Sequence, residues 1–139
     1  GGFITLPGIS DYCASKFALE AFSETLSQEL AGFGIAVTAV APGSFRTDWA
    51  GRSMVRSPRT LHDYDALFDP VREARLAKSG RQNGDPHKAA LAILSLLDHP
   101  APPAHLLLGS DALQLVRDKL RSLESSLAEW ESVTRSTDG

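Results

Sequence analysis

The sequence predicts an α/β fold built on a parallel sheet, and three observations support that prediction. An amphipathic helical pattern covers residues 11–31, a continuous apolar run follows at 35–41, and the same order of helix then strand recurs at 85–97 and 105–108. Strands that are apolar along their whole length and alternate with helices are typical of parallel sheets. The 139 residues are enough for one domain with a modest core.

The first helix has clear signals at both ends. Ser10 or Asp11 can cap its N-terminus, and Gly32 and Gly34 can end it. Apolar residues spaced three and four apart predict one buried face along it. They are Leu19, Phe22, Leu26 and Leu30.

The strand at 35–41 is predicted by composition and by its boundaries. Ile35 to Ala41 is largely apolar, contains four β-branched residues, and lies between Gly34 and the Pro42-Gly43 pair. A run of this kind is typical of a strand that is buried on both faces. With the helix before it, it forms half of an α/β unit.

The segment 42–84 is predicted as a cofactor and substrate loop. From Thr47 onward it is polar and irregular, with seven Lys and Arg residues and scattered apolar ones. A segment of this length with weak periodicity is usually a functional lid or a set of short helices.

The C-terminal part shows three more elements. Asp85 and Pro86 begin a helix over 85–97, residues 105–108 form a short strand, and a final helix covers 111–132. Two interpretations of the final helix remain: it lies on the domain or on a second subunit, or it forms a coiled coil. Its apolar stripe lasts about two and a half heptads, which favours the first. The stripe consists of Leu113, Val116, Leu120, Leu123, Leu127 and Trp130.

Composition argues against several classes of function. A net charge of −3 gives no electrostatic reason to expect nucleic acid or a membrane surface as a partner. No apolar run reaches the ~20 residues that a membrane span needs, and GGFITLPG lacks the features of a secretory signal. With Cys13 as the single cysteine, we expect no disulfide, no metal site and a reducing, cytoplasmic setting.

The stretch SDYCASKFALEAF contains the strongest chemical pattern. Tyr12 and Lys16 are four residues apart near the start of the first helix, so they should share one face of it. A cation next to a phenol favours the phenolate, which makes a proton donor and acceptor that works near neutral pH. The spacing also arises by chance in some sequences, so taken alone it leaves an ordinary amphipathic helix as an equal alternative.

Residues 12–47, YCASKFALEAFSETLSQELAGFGIAVTAVAPGSFRT, remove much of that ambiguity. They resemble the catalytic helix, the next strand and the Pro-Gly loop of short-chain dehydrogenases/reductases. Within that family they resemble the 17β-hydroxysteroid-dehydrogenase-like members. DPHKAALAILSLL and HLLLGSDA resemble the last part of that family's fold. The resemblance implies a doubly wound, Rossmann-type parallel sheet, of which this chain is the C-terminal part, with the N-terminal half missing.

The resemblance also implies roles for particular residues. Tyr12 would be the acid/base in hydride transfer between NAD or NADP and an alcohol/carbonyl substrate, and Lys16 would assist it and hydrogen-bond the nicotinamide ribose. The loop after the strand would line the nicotinamide pocket through Pro42, Gly43 and Phe45, with a hydrogen bond from Thr47 to the cofactor.

The following segment would bind substrate. Trp49 and Met54, with Tyr64 and Phe68, would form an apolar lid, and Arg52 or Arg56 would meet a polar group.

The sequence also departs from the family pattern. It has no G-x-G-x-x-G phosphate loop, no serine a dozen residues before Tyr12, and a single asparagine, Asn83, in the wrong place for catalysis. Two interpretations follow: an oxidoreductase of which this chain is an incomplete part, or an inactive remnant that serves as an interaction module through the helix at 113–130. A homo-oligomer is compatible with both.

Overall fold

In the computed structural model, which describes residues 1–51, 53–55 and 57–139, four helices flank a two-stranded parallel sheet. The helices are α1 (Ser10–Leu30), α2 (Asp65–Ala77), α3 (Pro86–Leu94) and α4 (Ser110–Arg135). Strand β1 (Ala39–Pro42) pairs with β2 (His105–Leu108), with Ala39 opposite His105 and Pro42 opposite Leu108. The prediction of an α/β fold with parallel strands is therefore confirmed.

Strand β1 begins at Ala39 and not at Ile35, where the sequence had predicted its start. The reason lies in its neighbour, because β2 is preceded by Pro102 and Pro103, which have no backbone N–H to donate to an extended β1. The Thr38 hydroxyl donates to the carbonyl of Pro103 at 2.7 Å, and ladder pairing starts only with the Ala39 N–H, 2.8 Å from the Ala104 carbonyl.

The other helix boundaries differ from expectation for local reasons. Helix α3 ends at Leu94 and not at residue 97, because the next residues form tighter turns such as the one from Leu97 N–H to the Leu94 carbonyl. Helix α4 is longer than predicted at both ends, reaching Arg135. The segment 42–84, for which the sequence left a lid or a set of short helices open, contains α2, which occupies thirteen of its residues.

Burial is sparse across the described residues. Cys13 and Ala112, with 3% and 8% of their surfaces exposed, are the two apolar residues that are buried there. The predicted buried face of α1 is wrong in part, because Leu19 and Phe22 are 52% and 64% exposed, whereas Leu26 and Leu30 are half-buried. The sheet explains the difference, since the two short strands cover only part of a helix 21 residues long. For the same reason β1 is half-buried and not buried on both faces.

Among the described residues, no helix is long and apolar enough to cross a bilayer. The same part of the chain brings no three His, Cys, Asp or Glu side chains together in a group that could hold a metal ion.

Candidate functional site

Tyr12 and Lys16 lie together on the first turns of α1. The Nζ atom of Lys16 is 5.6 Å from the centre of the Tyr12 ring, and the tyrosine is 37% exposed. This is the neighbourhood that an i, i+4 spacing gives on a helix. The main chain before α1 also passes close to these side chains. A Cβ atom added to Gly1 would lie 2.9 Å from Cε1 of Tyr12. The pair is thus accessible on one side and flanked by main chain on another.

Trp49 comes to Tyr12 from a distant part of the sequence. Their ring centres are 5.6 Å apart at an angle of 54°. Trp49 belongs to a short 3₁₀ turn, Asp48–Ala50, whose N-terminus is capped by the Thr47 hydroxyl, 3.5 Å from the Trp49 N–H. The structure therefore places Trp49 next to Tyr12, and it places Thr47 where its hydroxyl also orders the turn that carries Trp49.

The loop after β1 is fixed to the start of α4. The Gly43 N–H donates to the Leu108 carbonyl at 2.8 Å, and the Ser44 N–H donates to Oδ2 of Asp111 at 2.7 Å. A Cβ added to Gly43 would collide with the Asp111 carboxylate, so this close approach requires glycine. These contacts therefore fix the path of the main chain where it leaves the sheet at Pro42 and Gly43.

Asp111 holds the loop after β1 to α4, and the sequence alone did not point to it. Its partial burial alone would raise the pKa of the carboxyl, but hydrogen bonds from the backbone N–H and hydroxyl of Ser44 and the N–H of Ala112 outweigh that effect. The pKa of Asp111 consequently lies below its usual value. One feature of the sequence could have indicated this role of Asp111. It is an acidic residue two positions after Gly109, which follows the end of a strand.

Phe45 lies between two glycines. Its backbone forms a parallel bridge with Gly84, and a Cβ on Gly84 would lie 2.6 Å from Cγ of the ring. Gly109, with a φ of +97°, approaches the ring edge. Arg46 completes the attachment, because its guanidinium donates to the carbonyls of Gln82 and Asn83, at 2.9 and 3.2 Å. The loop carrying Pro42, Gly43, Phe45 and Thr47 is thus held on both sides.

Of the remaining predicted lid residues, Phe68 and Tyr64 are placed together. Their rings stack at 5.7 Å, and the Phe68 ring faces Gly8, where an added Cβ would lie 3.3 Å from it. Gly8 is in the turn directly before α1, so α2 rests beside that turn. Met54 is half-buried in the loop. Arg52 and Arg56 lie outside the described residues.

An open groove of about 550 Å³ runs along the other flank of the turn before α1, with Leu6, Cys13 and Phe17 among its lining residues. Neither Tyr12 nor Lys16 lines it. The groove is therefore separate from the Tyr12 site.

Comparisons with known proteins show the family and the fold of the chain. Residues 1–56, which contain α1 and the whole loop to Thr47, match the family model described as short chain dehydrogenase. A crystal structure of a short-chain dehydrogenase from Streptomyces avermitilis superposes with a TM-score of 0.86 at 41% identity over 99% of this chain. This chain belongs to the short-chain dehydrogenase/reductase family.

Relatives in the short-chain dehydrogenase/reductase family match this chain over only part of their own length. Oxidoreductase BOA17 of Botryotinia fuckeliana is 37% identical over 134 residues, which is 96% of this chain and 48% of that protein. Human retinol dehydrogenase 8 is 31% identical over 101 residues, covering 66% of this chain and 32% of its own length. The Streptomyces avermitilis chain is covered over 49% of its length. The chain thus spans about half the length of oxidoreductase BOA17 and of the Streptomyces avermitilis dehydrogenase.

Proposed function

We propose that this chain carries the proton-transfer site of an oxidoreductase that moves hydride between NAD or NADP and an alcohol/carbonyl substrate. The observation that carries the proposal is the cluster on α1: Tyr12 with Lys16 on the same face, and Trp49 from the post-β1 loop against the tyrosine ring. A phenol, an ammonium and an aromatic cover, beside a loop at the carboxyl end of a parallel strand, suit proton exchange with a bound small molecule.

The residues present fit the nicotinamide end of such a cofactor. Ligands of open α/β sheets bind outside the carboxyl ends of the strands, and β1 ends at Pro42. Gly43 has no side chain, so main chain can approach a flat ring there. When bound, NAD or NADP accepts or supplies the hydride. Pro42, Gly43 and Phe45 would hold its nicotinamide, and Thr47 would donate a hydrogen bond to it.

Tyr12 and Lys16 divide the proton work between them. The Tyr12 hydroxyl gives its proton to the substrate oxygen during reduction and takes it back during oxidation. The Lys16 ammonium stabilises the phenolate that this leaves, and its N–H groups can reach a ribose hydroxyl. Trp49 covers the Tyr12 ring on the loop side, and Met54, further along that loop, would contact the substrate.

The rest of the enzyme corresponds to the part of the relatives that this chain does not match. We propose that this part supplies the phosphate-binding loop. It would also supply the serine and the asparagine that the family pattern requires and that are not found at the matching positions here. The single cysteine is consistent with a reducing, cytoplasmic setting.

The test is Tyr12→Phe, which removes only the hydroxyl, made in a protein joined to the upstream residues that complete the family's length. We expect kcat to fall by about 10²–10⁴-fold, the usual contribution of a positioned acid/base. Tyr64→Phe is the matched control, because Tyr64 stacks on Phe68 and has no lysine one turn further on. Equal turnover in Tyr12→Phe and wild type would overturn the assigned role.

A second candidate, a catalytically inactive module, is favoured by the sparse burial of the described residues. Titration of the 139-residue chain with NADH separates the two, using the fluorescence of Trp49, with Trp49→Phe as the spectroscopic control. Under the enzymatic proposal we expect weak binding that Lys16→Ala weakens further. Binding that is absent at millimolar cofactor would favour the inactive module.

A further inference from the structure

Arg46, in the loop after β1, binds a segment that lies 36 residues or more further along the chain. Its Nη1 atom donates to the carbonyls of Gln82 and Asn83, at 2.9 and 3.2 Å. Its main-chain N–H donates to the carbonyl of Gly84 at 3.1 Å. The side chain and the backbone of one residue therefore join the loop to the segment directly before α3.

The charge of Arg46 meets the residue that caps α3. Oδ1 of Asp85 accepts a hydrogen bond from the His87 N–H at 2.9 Å, and Oδ2 lies 3.5 Å from Nη2 of Arg46. Hydrogen bonds from the His87 and Lys88 N–H groups, together with the nearby charge of Arg46, lower the pKa of Asp85, so this carboxyl is ionised at neutral pH. One carboxylate therefore begins a helix and orients the guanidinium.

These contacts contribute geometry more than stability. The side chains of Arg46 and Asp85 are 43% and 36% exposed, and ion pairs this exposed add little to the free energy of unfolding. A guanidinium is a planar fork of N–H groups, so it can bind carbonyls through one nitrogen and face a carboxylate with another at the same time. The arrangement therefore fixes the direction of the main chain at residue 46.

The next residues carry that direction to the Tyr12 site. Thr47 follows Arg46 directly, and its hydroxyl lies 3.5 Å from the Trp49 N–H at the start of the turn that carries Trp49. The centre of the Trp49 ring in turn lies 5.6 Å from the centre of the Tyr12 ring. The hydroxyl that would bind the cofactor and the aromatic cover of Tyr12 are therefore both within three residues of Arg46.

We propose that Arg46 is a positioning residue, which holds Thr47 and Trp49 in place by tying the loop after β1 to residues 82–85. The proposal deepens the function proposed above and rests on it for the part that concerns the cofactor. Arg46 acts through the residues that follow it and not on the reacting atoms. Its loss should weaken cofactor binding and loosen the cover on Tyr12, while proton transfer by the Tyr12 hydroxyl stays the same.

The first experiment reports on the loop itself and needs no catalysis. In the 139-residue chain with Trp130→Phe, Trp49 is the one remaining tryptophan, so acrylamide quenching measures its exposure. Trp49 is 45% exposed, and Arg46→Ala should raise its quenching constant and shift its emission to longer wavelength. Arg135→Ala is the matched control, because it removes an exposed ion pair with Glu131 near the end of α4. A quenching constant that Arg46→Ala leaves unchanged would overturn the proposal.

The second experiment measures cofactor binding in the protein joined to the upstream residues that complete the family's length. We expect Arg46→Ala to raise the Kd for NADH or NADPH about five- to tenfold, the usual effect of losing one hydrogen bond. The KM for the cofactor should rise in parallel, with kcat at saturating cofactor little changed. Arg46→Lys keeps the charge beside Asp85 but lacks the second nitrogen, so it should fall between wild type and Arg46→Ala. A fall in kcat at unchanged KM would contradict a positioning role.

The two experiments separate this proposal from the function on which it rests. A wild-type protein that binds no cofactor, with Trp49 still freed by Arg46→Ala, would overturn the function and support the tie between Arg46 and Trp49. Cofactor binding that is present in wild type and equally strong in Arg46→Ala would overturn the role of Arg46 and leave the function standing.

Discussion

Asp111 joins the post-β1 loop to α4 through one carboxylate, and the direction of its pKa gives that contact a pH dependence. The Ser44 N–H is 2.7 Å from Oδ2, and the pKa of Asp111 is lowered in the folded chain, where hydrogen bonds from Ser44 and Ala112 outweigh partial burial. A lowered folded pKa means that the ionised carboxylate contributes stability above its unfolded pKa of about 3.9. That contribution is lost as pH falls through the lower, folded value.

We therefore expect Asp111→Asn to lower the free energy of unfolding at pH 7. The deficit relative to wild type should begin to shrink as the pH falls below the unfolded pKa of about 4 and should continue to shrink towards the lower, folded pKa, below which both proteins carry a neutral group there. Urea titrations at several pH values measure it. Asp138→Asn, in the exposed C-terminal tail, is the control. A deficit for Asp111→Asn that stays constant from pH 7 to pH 3 would contradict this account.

At the same scale, sequence predicted the pairing of Tyr12 with Lys16 because both lie on one helix, where spacing determines proximity. It could not predict that Trp49 meets Tyr12 or that Asp111 binds Ser44. Those contacts join residues that are far apart in the chain, and they depend on how the loop after β1 is folded back.

Between elements, α1 is joined to β2 by a polar contact at the strand's first residue. Nδ1 of His105 lies 2.9 Å from Oε2 of Glu20, whose side chain is mostly buried, and the Phe3 ring meets the His105 ring edge-on at 5.2 Å. A hydrogen bond of this kind fixes the helix that carries Tyr12 relative to the sheet.

We expect Glu20→Ala to cost about 1–2 kcal/mol of unfolding free energy, because it leaves a half-buried imidazole without its partner. Glu24→Ala is the matched control: that carboxylate is 3.8 Å from Nε2 of His105 and largely exposed, and such contacts usually contribute less than about 1 kcal/mol. Urea unfolding of the two variants compares them. If Glu24→Ala costs as much as Glu20→Ala, the 2.9 Å contact is not what holds α1.

Element prediction from sequence succeeded where a pattern is local. Helix α1 and strand β2 follow from local composition and spacing, and α3 from Asp85 and Pro86, whose cap the structure contains. The predicted cap of α1 was wrong, because the helix already begins at Ser10 and no side chain caps it. Helix α2 was left inside a predicted loop because Pro70 lies within it and the residues around it are polar and irregular. The start of β1 is set by the prolines before β2, a neighbour that local pattern does not reveal.

For the whole molecule, the important feature is the apolar surface that the described residues leave open. Leu19 and Phe22 on α1 are more than half exposed, although their spacing is that of a core-facing stripe. The chain spans about half the length of the relatives compared above that match nearly all of it. Together these facts suggest that the α1 face is covered by the portion of the family fold that this chain does not match.

That inference predicts complementation between two polypeptides. When the part of the Streptomyces avermitilis dehydrogenase that this chain does not match is co-expressed with it, we expect a complex and lower binding of an apolar dye, because Leu19 and Phe22 become covered. Phe22→Asp should prevent the complex without unfolding the chain, since that side chain is 64% exposed. Phe33→Asp, at a position 79% exposed beyond the end of α1, should leave complementation intact. Equal effects of the two substitutions would contradict a specific role for the α1 face, and failure of wild type to associate would show that this face is not where the remaining half of the fold packs.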